Sequence, residues 1–167
     1  MKTTTQKTVL ASMLAALCCV ATMLIKIPSP LKGYFNIGDS IVLLSGWLLS
    51  PFYGFFSAAI GSALADVFSG YALYAPVTFA VKGFMAVLAF LTFKALNKKT
   101  NRVVSRITSG LLSEILMVSG YYIFEGFLYG FTPSLVNIPV NALQGAVSLV
   151  IAVFLIKVFE KTNYFDI

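Results

Sequence analysis

Five ionisable side chains lie in or beside otherwise apolar stretches of this chain: Asp39, Asp66, Lys82, Glu114 and Glu125. A charge inside a hydrocarbon medium is costly and generally faces a protein interior or a water-filled cavity, so each marks a candidate site. Glu114, Tyr121 and Glu125 recur at i, i+7 and i+11, a narrow arc of one helix. Asn137, Asn141, Gln144 and Ser148 share one face of the following helix, and Lys82 lies about two turns inside the helix before both. Carboxylates, amides and a phenol in this pattern suit hydrogen bonding to a polar solute rather than bond-making chemistry. They are expected to converge on a cavity near one membrane surface, walled by the fourth to sixth helices and lidded by loops. The competing expectation is mutual satisfaction: Lys82 pairs with Glu125 or Asp66, and the amide face is interhelical glue. Asp39 and Asp66, near loop ends, are expected to cap helices or brace loops. Tyr34, Phe35, Tyr71, Tyr74, Tyr122, Phe127 and Tyr129 gather at the same surface as an interfacial belt, one or two of them able to stack on a flat ligand.

The elements that position these groups are membrane spans. Of 167 residues, 59% are hydrophobic and 11% charged, with mean hydropathy +0.90, where soluble domains carry about 25% charged residues. At about 20 residues per span, the chain has room for five or six spans and no soluble domain. The apolar runs predict six transmembrane helices in one all-α domain over 1–167: 7–25, 38–49, 52–68, 75–96, 104–128 and 135–159. The first run follows Lys2 and Lys7 but has a poor cleavage pattern, so it reads as a retained span rather than a signal peptide. The connection 26–37, with Pro28, Pro30 and Gly33, cannot be helical throughout and is the longest loop. Runs two and three form a hairpin around Ser50, Pro51 and Gly54 that brings Asp39 and Asp66 to the same side. Gly54, Ser57, Ala58, Gly61, Ser62 and Ala65 give its second arm the small face that lets helices approach closely in lipid.

Charge sets the orientation. With six spans, Lys2, Lys7, Lys94, Lys98, Lys99, Arg102, Arg106, Lys157 and Lys161 fall on one side, and Lys26 and Lys32 on the other. Positive residues stay in the cytoplasm, so both termini are expected there and the polar-rimmed ends face outward.

Other chemistries lack their residues. No G-x-x-x-x-G-K-[ST] sequence is present for binding nucleotide, and with no histidine and only adjacent Cys18 and Cys19, no metal site is expected. The two cysteines read as small packing residues. Asn36-Ile37-Gly38-Asp39 lacks the first glycine of an intramembrane aspartyl-protease G-x-G-D. No enzyme activity, cofactor or nucleic-acid partner is expected.

Asn36-Ile-Gly-Asp39, Gly61-Ser-Ala-Leu-Ala-Asp66, Ala75-Pro76 with Lys82-Gly83, and Asn137-Ile-Pro-Val-Asn141 with Gln144 together resemble the substrate-binding (S) components of energy-coupling factor (ECF) vitamin transporters. The likeness covers nearly the whole chain, in the riboflavin branch that includes carriers of pyridoxine-like and hydroxymethylpyrimidine-like compounds. It implies a bacterial plasma-membrane subunit that captures a vitamin at its outer face and topples on a transmembrane coupling protein driven by two cytoplasmic ATPases. It also implies that Ala11 and Ala15, an A-x-x-x-A pair on the first helix, dock on the coupling protein. The candidate substrate-binding set is Asn36, Lys82, Glu114, Tyr121, Glu125, Asn137, Asn141 and Gln144. A small heteroaromatic ligand of pyridoxine or pyrimidine type is expected first and riboflavin second. The alternatives are a stand-alone ion-coupled solute carrier, then an accessory membrane subunit, with an intramembrane enzyme last.

Overall fold

The structure, a computed structural model, describes residues 3–160; Lys2 and Lys161 of the charge argument lie outside the described residues. Among the described residues, five helices are long and apolar enough to cross a bilayer. They are α1 (Thr4–Leu24), α3 (Pro51–Phe68), α4 (Ala75–Leu96), α5 (Arg102–Tyr129), and the run Phe131–Glu160. The last consists of a one-turn α6 (Phe131–Ser134), a 3-10 turn (Leu135–Asn137) and α7 (Ile138–Glu160). Local chemistry sets the boundaries. Thr3 and Gln6 form a reciprocal cap on α1, Pro51 opens α3 and Asn101 caps α5 through the Val104 N–H. Gly130 turns the chain between α5 and α6 at φ 92°, a conformation that suits a residue without Cβ.

The second apolar run is a helix of only ten residues, α2 (Asp39–Leu48), about 15 Å long at 1.5 Å per residue. That is about half the hydrocarbon thickness of a bilayer. Asp39 to Trp47 are all buried, because α2 packs against α1, α3, α4, α5 and α7. It is therefore an internal post, and its Val42, Leu43 and Leu44 form the centre of the core with Met85, Met117 and Ile156. The small face expected on α3 is present: Gly54, Ser57, Ala58, Gly61, Ser62 and Ala65 are all buried. A Cβ on Gly61 would collide with the Ala15 carbonyl oxygen of α1, so glycine there allows the two backbones to touch.

One feature departs from an all-α chain. The connection before α2 carries two short antiparallel strands, β1 (Ile27–Pro28) and β2 (Tyr34–Phe35), paired Ile27 to Phe35 and Pro28 to Tyr34. Two-residue strands show no alternation that a sequence could reveal. This hairpin lies over the end of the bundle formed by the starts of α2, α4 and α7 and the ends of α3 and α5.

Candidate functional site

Beneath the hairpin is a cavity of about 40 Å³. The loop contributes Ser29, Gly33, Tyr34 and Asn36; the end of α3 and the turn after it contribute Asp66, Tyr71 and Tyr74; Thr78, Tyr121, Glu125, Asn141 and Gln144 complete the wall. Five of the eight sequence candidates therefore meet there: Asn36, Tyr121, Glu125, Asn141 and Gln144.

The other three do not line it. Lys82 is buried below the cavity and paired with Asp39, not with Glu125 or Asp66. Asp39 is fully buried and also accepts from Gln144 Nε2 at 2.6 Å, so it anchors the floor rather than bracing a loop. Lys82 Nζ stands 5.2 Å from the Tyr121 ring centre, supporting a wall residue from behind. Asn137 is a brace. Its Nδ2 donates to Glu125 Oε1 at 2.9 Å, and its Oδ1 accepts the Leu31 N–H at 3.3 Å. Glu114 lies in a separate groove between α5 and α7, with Ala142 and Gly145. It shares a helical face with Glu125, but eleven residues separate them by about 16 Å along the axis. Facing the same way is not lying at the same depth. Neither carboxylate oxygen of Glu114 has a hydrogen-bond partner among the described residues, nor has the buried Ser148 hydroxyl.

A chain of hydrogen bonds ties the wall to the floor. The backbone N–H and Nδ2 of Asn36 both donate to Gln144 Oε1, at 2.9 and 3.1 Å, and Gln144 continues to Asp39 and Lys82. Gln144 thereby closes the loop onto α7 with both ends of its amide engaged. Asn141, one turn away, makes no side-chain hydrogen bond among the described residues and presents its amide at the cavity.

Asp66 and Thr78 are absent from the sequence candidates, and Tyr34, Tyr71 and Tyr74 enter there only as belt aromatics of which one or two can stack on a ligand. Asp66 was expected to be a cap or brace and is instead a buried wall residue whose Oδ1 accepts from Tyr34 Oη at 2.6 Å. Burial and the neighbouring Asp66 carboxylate push the Tyr34 phenol well above its usual range, which keeps it a donor. Tyr34 and Tyr71 rings meet at 4.7 Å between centres. These tyrosines were read as belt residues; Phe127, 79% exposed, fits that description. The signal for Tyr71 and Tyr74 is their position shortly after Asp66 in sequence; Tyr34 and Thr78 carry no such signal. On the opposite side of the bundle, Ala11 and Ala15 are half-buried and line an apolar groove of about 740 Å³ between α1 and α3.

A bundle of membrane-length helices with a small polar chamber at one end is the architecture of a multi-pass membrane protein. The family described as ECF-type riboflavin transporter, S component, matches residues 2–161, and this chain belongs to that family. It is accordingly a multi-pass protein of the plasma membrane. A Pyrococcus woesei protein described as uncharacterized, in the gap 3′ region, is 38% identical over 112 residues, 66% of this chain and 72% of that one. A solved structure of the S component of a bacterial ECF transporter aligns with TM-score 0.73 over 97% of this chain and 99% of its own. At 23% identity, that likeness is one of fold.

Proposed function

We propose that this chain captures a small, water-soluble heteroaromatic vitamin or precursor in the cavity under the hairpin and delivers it through an ATP-driven ECF complex. The observation that carries the reading is the meeting of Asn36, Tyr121, Glu125, Asn141 and Gln144, from a loop and two helices, in one aromatic-walled chamber. Polar groups of mixed donor and acceptor character amid tyrosines suit a flat ring with hydroxyl or amino substituents. Pyridoxine-like or hydroxymethylpyrimidine-like ligands come before riboflavin, because a chamber of about 40 Å³ suits one ring better than three.

The chamber opens outward in this reading. It lies at the end opposite Lys7, Lys94, Lys98, Lys99, Arg102 and Lys157, and basic residues stay inside. The five long helices and the internal α2, whose crossing the hairpin loop completes, make six passes with both termini cytoplasmic. The partners are a transmembrane coupling protein, docked on the α1 groove at Ala11 and Ala15, and two cytoplasmic ATPases. Uptake of labelled ligand in cells tests this reading. Accumulation should require coexpression of the coupling protein and both ATPases, and accumulation by this chain alone would show a stand-alone carrier.

A further inference from the structure

Two carboxylates in the chamber wall are each held by one oxygen only. Asp66 Oδ1 accepts from Tyr34 Oη at 2.6 Å, while Oδ2 is buried without a hydrogen-bond partner among the described residues. Glu125 Oε1 accepts from Asn137 Nδ2 at 2.9 Å and Tyr74 Oη at 3.4 Å, while Oε2 is likewise buried and unpartnered. The residues are 5% and 2% exposed. Leaving such oxygens desolvated and unpaired is expensive, and the cost is relieved when donors arrive. Lys82 is held by Asp39, and the Thr78 hydroxyl shares a hydrogen bond with Tyr121 Oη at 2.9 Å in which either oxygen can donate. Tyr34, Tyr74 and Asn137 orient the carboxylates and leave the second oxygens without a protein partner among the described residues.

We infer that Asp66 and Glu125 are the specificity residues of the chamber and select a ring that carries an exocyclic amine, cationic or readily protonated, over neutral oxo-substituted rings. The inference rests on the proposed capture of a heteroaromatic solute and narrows its class. An amine donates to a carboxylate oxygen; an oxo group at the same position places a lone pair against a negative charge. A site built to hydrogen-bond one group rejects the analogue that lacks it far more strongly than an apolar pocket rejects a change of size. Riboflavin, neutral and without an exocyclic amine, its one ring N–H flanked by two carbonyls, is disfavoured on the same ground.

The test is calorimetry on the purified full chain in detergent with three probes: 4-amino-5-hydroxymethyl-2-methylpyrimidine, its 4-oxo analogue and riboflavin. The amino compound should bind at least about tenfold more tightly than either other probe. Asp66→Asn and Glu125→Gln should each bring the amino-to-oxo ratio down to about threefold or less, with melting temperatures recorded to confirm folding. Should either variant not fold, the wild-type comparison decides by itself. Equal or tighter binding of the oxo compound or riboflavin, or ratios unchanged in folded variants, overturns this inference while leaving vitamin capture standing. Binding of none of the three, with no small molecule retained by the chain as isolated, overturns the capture reading and this inference with it.

Discussion

At the scale of single residues, the two asparagines of the last span do different work. Asn141 presents an uncommitted amide to the chamber, whereas the Asn137 amide is taken up by Glu125 and the Leu31 N–H. Removing a hydrogen-bond partner from a buried ligand group costs about 1–3 kcal/mol, about one to two decades of affinity. Asn141→Ala should weaken ligand binding at least about tenfold with an unchanged melting temperature, and Ala142→Val, on the groove with Glu114, should change binding little. Asn137→Ala should lower affinity and melting temperature together, because it frees both Glu125 and the lid. Lys82 belongs with the scaffold. Lys82→Met strands a fully buried Asp39 and should destabilise the protein by about 3–5 kcal/mol, and adding Asp39→Leu should recover a large part of that loss in thermal denaturation. The types of these residues announced a polar site, but their pairing was not legible. Asp39, Asp66 and Glu125 all lie within reach of the same end of the bundle, and only packing decides which one receives Lys82.

At the scale of elements, helix existence and the small face of α3 were readable because apolar length and four-residue spacing are local properties. Gly61 against the Ala15 carbonyl is the contact that spacing foretold. Depth was less legible. Periodicity placed Glu114 with Glu125 on one face, yet about 16 Å of helix separates them, and only one lines the chamber. The hairpin was beyond reach for another reason: its two-residue strands are held by Tyr34 on Asp66 and Asn36 on Gln144, contacts distant in sequence. Two variants on facing helices should separate docking from folding. Ala11→Leu with Ala15→Leu fills the α1 groove and should abolish ATP-driven uptake while ligand binding to the isolated protein survives. Gly61→Val forces α1 away from α3 and should lower the melting temperature, at a cost of about 1–3 kcal/mol. Binding lost in parallel with uptake in the alanine variants would make α1 part of the chamber's support instead.

At the scale of the whole molecule, charge and cavity lie at opposite ends. The basic ends of α4, α5 and α7 gather around a buried Arg106, which donates to Glu160 at 2.8 Å, and the chamber opens at the other end. Single cysteines at Lys32 and Asn101, both exposed, should react with impermeant reagents from opposite sides of the membrane, Lys32 from outside. Labelling of both from one side would contradict the six-pass arrangement. The central claim, that the chamber under the hairpin holds a vitamin-like solute, is tested most directly by native mass spectrometry of the protein released from detergent, wild type beside Asn141→Ala. The account predicts one small nitrogen heterocycle bound one to one in the wild type and depleted in the variant at equal folding. Equal occupancy of the same mass in both proteins, or no bound solute in a wild-type protein that supports uptake, would contradict it.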